Sequence, residues 1–158
     1  MIVWDMSLSM SLIKLKYIIA TGFGVGYIPV IPGTAGSLVA LLIFIFLPLD
    51  HNIWLLICLI LFCIGIWVSN TVETEKGKDP GIVVIDEYVG QWISLLFLPR
   101  TLWIFIAAFV LFRVLDIIKP FPAAKFEKIR GGTGIMMDDL IAGIYTNILI
   151  HLIMLLIY

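Results

Sequence analysis

The run Ile82-Val-Val-Ile-Asp-Glu-Tyr-Val-Gly-Gln-Trp-Ile-Ser-Leu-Leu-Phe-Leu98 sets two adjacent acids inside a segment otherwise suited to apolar surroundings. Read as a helix, it puts Glu87, Gly90, Gln91 and Ser94 on one face, at i, i+3, i+4 and i+7. A small, polar stripe on an apolar helix is buried against a partner carrying a similar stripe. The chain supplies that partner near its end, where Asp139, Gly143, Thr146 and Asn147 repeat the pattern. The reading is a bundle of apolar helices with polar faces turned inward.

Composition agrees. Hydrophobic residues make up 62% of the 158, and charged residues 13%, against about 45–50% and about 25% in an ordinary soluble domain. This balance excludes disorder, a coiled coil and a nucleic-acid-binding surface. Apolar runs at Thr34–Leu49, Ile53–Thr71, Ile82–Leu98, Trp103–Ile118 and Ile135–Tyr158 predict five membrane-crossing segments. The first is short for a bilayer, which takes about 20 helical residues. The fold class expected is all-α: a small polytopic transmembrane bundle forming one domain over residues 1–158. Residues 1–20 are an interfacial amino-terminal segment, residues 21–37 a glycine-rich loop, and Phe121–Arg130 predicts a short amphipathic helix before the last span. Cys58 and Cys63 lie five apart, off a common helix face, so the expectation is two buried thiols without a disulfide.

If the spans alternate, Lys14, Lys16, Lys76, Lys78, Lys119, Lys125, Lys128 and Arg130 share one side and Arg100 falls on the other. The excess of bases predicts that their side is cytoplasmic. On the same topology Asp86, Glu87, Asp116, Asp138 and Asp139 approach that side from three helices. Acids that snorkel to the surface would explain one or two of these, but intramembrane carboxylates are costly and nothing structural requires five. Their mutual repulsion is relieved by a divalent cation, and an all-oxygen donor set suits Mg²⁺. Zinc is disfavoured because His51 and His151 map to the opposite side. Arg113 and Lys119 are placed to hold a phosphate, and a free carboxylate to activate water.

The loop Thr21-Gly-Phe-Gly-Val-Gly-Tyr-Ile-Pro-Val-Ile-Pro-Gly-Thr-Ala-Gly-Ser37 ends directly before a helical run. Backbone N–H groups of Gly33 and Gly36 with the hydroxyls of Thr34 and Ser37 form a candidate phosphate cradle. A tight connection that needs glycine for its backbone is the alternative. The spacing is neither a dinucleotide fingerprint nor a nucleotide-binding P-loop.

Four blocks in order, Gly26–Ser37, Val84–Gly90, Phe112–Pro122 and Gly131–Gly143, resemble the phosphatidylglycerophosphatase A family. The resemblance implies Mg²⁺-dependent hydrolysis of phosphatidylglycerophosphate to phosphatidylglycerol and phosphate at the cytoplasmic face of a bacterial inner membrane, with a phospholipid as partner. By position it makes Asp86, Glu87, Asp116, Asp138 and Asp139 the acidic site residues, and Arg113 and Lys119 the basic ones. Two alternatives stand beside it. A CDP-alcohol phosphotransferase would show its acids in one contiguous run, which is absent here. A small cation transporter or channel would place acids at mid-membrane depth and on both sides.

Overall fold

The computed structural model describes residues 2–126 and 128–157, and the side chains among them from Met10 onward. The described residues form helices and turns, with no strand. In chain order the helices are α1 (Ile2–Ala20), α2 (Pro32–Phe46), α3 (His51–Lys76), α4 (Ile85–Leu95), α5 (Leu102–Ile118), the short α6 (Ala123–Phe126) and α7 (Gly132–Ile157).

Local chemistry sets the boundaries. Pro32 occupies the first turn of α2, where its missing N–H costs no hydrogen bond. Leu47 leaves the helix because Pro48 disfavours the helical conformation in the residue before it. Asp50 caps α3 by accepting from the Asn52 N–H at 2.8 Å, which holds its exposed carboxyl below the usual range. Gly77, at φ 96°, turns the chain away after Lys76.

Two helices, α3 and α7, are long and apolar enough to cross a membrane. Each has 26 residues, about 39 Å of helix against a hydrocarbon core of about 30 Å. Their outward residues are largely apolar, among them Leu56 and Leu59 on α3 and Leu152 and Leu155 on α7. This is the surface of a chain that associates with a membrane.

The run Ile82–Leu98 differs from the expectation of one full span. Its helix covers 11 residues, about 16 Å, and therefore cannot cross a bilayer as a helix. The reason lies at its ends: Phe97 adopts a left-handed backbone conformation (φ 58°) and Pro99 follows, while Val84 sits outside the helix with its N–H bonded to the Ala20 carbonyl at 2.9 Å. Helix α4 is instead the core element, buried along almost its whole length. That burial is why the segment is apolar outside its acids and its one polar stripe.

α4 runs beside α7 in the same direction and antiparallel to α3. Trp92 on α4 packs against Trp54 of α3 with the rings tilted by 52° and their centroids 4.8 Å apart, and its indole N–H donates to the Ala40 carbonyl of α2 at 2.8 Å. At Gly90 and Gly143 the backbones of α4 and α7 touch. A Cβ on Gly90 would lie 2.7 Å from the Asp139 carbonyl oxygen, and one on Gly143 would strike the Gly90 carbonyl. The two polar stripes do face each other, and glycine is what permits the approach.

Helix α1 packs on the acid-side half of α3. Lys16 Nζ donates to Thr71 at 3.0 Å and the Tyr17 hydroxyl to Glu75 at 2.7 Å. Met10, Leu12, Leu15 and Ile18 stay uncovered. The amphipathic helix expected over Phe121–Arg130 is reduced to the four residues of α6, with Glu127 outside the described residues. Both thiols are free, but Cys63 is exposed where a buried thiol was expected, because five residues of helix turn it away from the face that buries Cys58.

Candidate functional site

At the end of the bundle where α2, α4 and α7 begin and α5 ends, a cavity of about 280 Å³ is lined by all five acids picked out in the sequence, with Arg113 and Lys119. Asp86 and Glu87 reach it from the first turn of α4, Arg113 and Asp116 from the last turns of α5, and Asp138 and Asp139 from the second turn of α7. The histidines lie far from it: His51 Nδ1 accepts from the Phe97 N–H at 3.0 Å at the opposite end, and His151 Nδ1 pairs with the Asn147 carbonyl at 2.9 Å.

The five acids divide by partner. Asp116 Oδ2 lies 2.8 Å from Arg113 Nη1, and Asp138 Oδ2 lies 2.7 Å from Lys119 Nζ. Glu87 keeps only a looser contact with Arg113, at 3.9 Å. Asp86, Glu87 and Asp139 offer one oxygen each within 4.8 Å of one another. Each of these three also holds a buried oxygen with no hydrogen-bond partner: Asp86 Oδ1, Glu87 Oε2 and Asp139 Oδ2. Unpartnered buried carboxylate oxygens are expensive. Three hard oxygen donors that converge without enough positive charge fit a divalent cation such as Mg²⁺.

The glycine loop contributes unevenly. Pro32 and Gly33 line the cavity, and a Cβ on Gly33 would run into the Glu87 carboxylate. Gly36 instead faces Val84. The Ser37 hydroxyl is fully buried, donates to the Gly33 carbonyl at 2.9 Å and accepts from Arg113 Nη1 at 3.3 Å. Ser37 thus holds the arginine, while Thr34 lies outside the cavity lining. Ser37→Ala is expected to lower turnover about tenfold, the scale of one hydrogen bond to a charged group. Thr34→Val should leave it within about twofold, since no cavity contact is lost. Steady-state phosphate release by the two variants, each matched to wild type in thermal unfolding, checks the difference.

Asp79 also lines the cavity and was not picked out from the sequence. It stands in Lys78-Asp79-Pro80-Gly81, an acid among bases directly ahead of the Asp86-Glu87 block, with φ at 46°. Its position within a turn, off any helical stripe, hid it.

A carboxylate cluster with two flanking cations, opening at one end of an apolar helix assembly, defines a membrane-associated enzyme of charged substrates. The phosphatidylglycerophosphatase A family model matches residues 18–154. Among curated relatives, phosphatidylglycerophosphatase A of Escherichia coli is 38% identical over 143 residues, covering 87% of this chain and 82% of that protein. The Haemophilus influenzae protein of the same name is 40% identical over 148 residues, covering 90% and 91%. A Bacteroides thetaiotaomicron protein with the provisional name phosphatidylinositol-3-phosphatase is 48% identical over 146 residues, covering 86% and 91%. No solved structure gives a significant match. The chain belongs to the phosphatidylglycerophosphatase A family, and is a phosphatase.

Proposed function

We propose that the chain hydrolyses the terminal phosphate monoester of phosphatidylglycerophosphate, with Mg²⁺ held by Asp86, Glu87 and Asp139. The observation that carries the reading is the unpartnered carboxylate oxygen on each of those three residues, beside Arg113 and Lys119. The cation supplies charge neutralisation and polarisation of the phosphoryl oxygen. Arg113, steadied by Ser37 and Asp116, and Lys119, steadied by Asp138, orient the phosphate, and the Gly33 backbone lets it approach without a side chain in the way. Water attacks phosphorus and the bond to the glycerol oxygen breaks. A cavity carboxylate takes the proton that water gives up, and the leaving oxygen is reprotonated.

The acids cluster at one end of the bundle, which favours headgroup chemistry over an ion path through the membrane. The contiguous acid run of a CDP-alcohol phosphotransferase is absent. The name carried by the Bacteroides relative makes phosphatidylinositol 3-phosphate the competing substrate. Purified protein given each lipid in mixed micelles should release phosphate from phosphatidylglycerophosphate with at least tenfold higher kcat/KM, about 1.4 kcal/mol of discrimination. The reverse preference would replace the substrate while keeping the site.

The proposal extends to a multi-pass chain in a bacterial inner membrane, with the acid cavity on the cytoplasmic side. Lys76 and Lys128 lie on the cavity side by the basic bias. Single Lys76→Cys and Lys128→Cys variants, in a Cys58→Ala/Cys63→Ala background, should resist a membrane-impermeant thiol reagent in intact cells and react after lysis. Labelling of either in intact cells would invert the assignment.

A further inference from the structure

Next to the acid cavity, at the same end of the molecule, lies an open groove of about 540 Å³ between the end of α3 and the start of α7. Its walls carry Asn70, Glu73, Lys78 and Arg130. A neck of about 10 Å³, lined by Glu73, Lys78, Asp79 and Asp138 among others, lies between them: Lys78 belongs to groove and neck, Asp79 and Asp138 to neck and cavity. A space of that size holds about one water molecule. The two hollows are neighbours, linked through the residues that line the neck.

The groove is built on fixed backbone. Glu73 Oε2 accepts from the Gly131 N–H and Asn70 Oδ1 accepts from the Gly132 N–H at 2.6 Å, which ties the segment carrying Arg130 to α3. On the other wall, Gly77 at φ 96° ends α3 and brings Lys78 back over the opening. Glu73, the one acid among the described residues of the groove wall, is thus engaged by a backbone amide. Lys78 and Arg130 make no ion pair among the described residues. The Asn70 side chain, whose oxygen accepts from Gly132, also lines the groove, and its amide N–H₂ is a hydrogen-bond donor. Two cations with no ion pair among the described residues and an amide in one groove match a phosphate group, which arginine and lysine bind through charge-assisted hydrogen bonds.

We infer that this groove is a second phosphate subsite beside the acid cavity. The inference rests on the reading of that cavity as the place where a phosphate monoester is cleaved. The substrate proposed above carries a second phosphate, the diester one glycerol away from the scissile group, and the reaction also releases inorganic phosphate. Both present anionic phosphoryl oxygens, so both are candidate occupants of the groove.

A Lys78→Gln/Arg130→Gln double variant separates the sources. If the groove holds the lipid diester, KM for phosphatidylglycerophosphate in mixed micelles rises about five- to tenfold, with kcat within about twofold, and inhibition by inorganic phosphate is unchanged. If it holds released phosphate, the inhibition constant for inorganic phosphate rises by that factor and KM stays put. The Lys78→Arg/Arg130→Lys variant, which keeps both charges, should recover most of either effect. KM, kcat and inhibition constant all at wild-type values in the double variant overturn the subsite. Should wild type release no phosphate from the lipid, the cavity reading fails separately. Equilibrium binding of inorganic phosphate in chelator, where the carboxylate cavity repels an anion, then decides the groove alone: binding lost in the double variant supports it, and binding absent in wild type or equal in both overturns it.

Discussion

Asp139→Asn is expected to lower phosphate release by about a hundredfold or more, because removing one hard anionic ligand from a three-carboxylate site forfeits several kcal/mol of cation binding. Asp86→Asn and Glu87→Gln should fall by a similar factor. Stability without metal should move the other way. Asp86, Glu87 and Asp139 lie within 4.8 Å of one another with unpartnered buried oxygens, so neutralising one relieves repulsion among the rest. Thermal unfolding in detergent should therefore show equal or higher Tm for each variant in chelator, and a smaller rise on adding Mg²⁺ than wild type shows. Asp116→Asn and Asp138→Asn are a useful contrast. Asp116→Asn weakens the ion pair with Arg113 and Asp138→Asn the one with Lys119, outside the three-acid cluster, so their Mg²⁺-dependent rise in Tm should persist while turnover drops. Near-normal turnover in all three of Asp86→Asn, Glu87→Gln and Asp139→Asn would remove the metal site from the account.

The second large effect lies at the contact between α4 and α7. Gly90→Val should destabilise the protein by about 3 kcal/mol or more, at the upper end for overpacking a filled interior. The added carbons meet the fully buried Phe112 ring and the Asp139 backbone carbonyl. Turnover should be lost in whatever protein remains folded, since α4 carries Asp86 and Glu87 and α7 carries Asp139. Gly81→Ala is the control: a Cβ there meets nothing within 4 Å, and Tm should stay within about 1 °C, as for a surface substitution. A Gly90→Val protein with wild-type Tm would mean that the two helices are not held at backbone contact.

Much of this arrangement was legible in the sequence. The convergence of five acids could be read because each polar stripe, Glu87-Gly90-Gln91-Ser94 and Asp139-Gly143-Thr146-Asn147, has helical period and only another such stripe to meet. The division of labour among the acids could not, since period tells which face a carboxylate occupies and not which base lies across from it. Ser37 shows the same limit: a hydroxyl at a helix start suggests a phosphate ligand, and only the position of Arg113 from α5 shows where it is used. The length of α4 was hidden by its burial. An apolar run enclosed by other helices carries the same composition as one enclosed by lipid, and only the turn residues Phe97 and Pro99 mark where it stops. Asp79 escaped because a turn has no period to reveal it.

The most direct test is phosphate release from phosphatidylglycerophosphate by the purified wild-type chain, stripped with chelator and then titrated with Mg²⁺. The account predicts turnover near zero in chelator and saturable recovery as Mg²⁺ is restored, with the midpoint of recovery matching the midpoint of Mg²⁺-induced stabilisation. Full turnover in chelator, unaffected by added Mg²⁺, would contradict it.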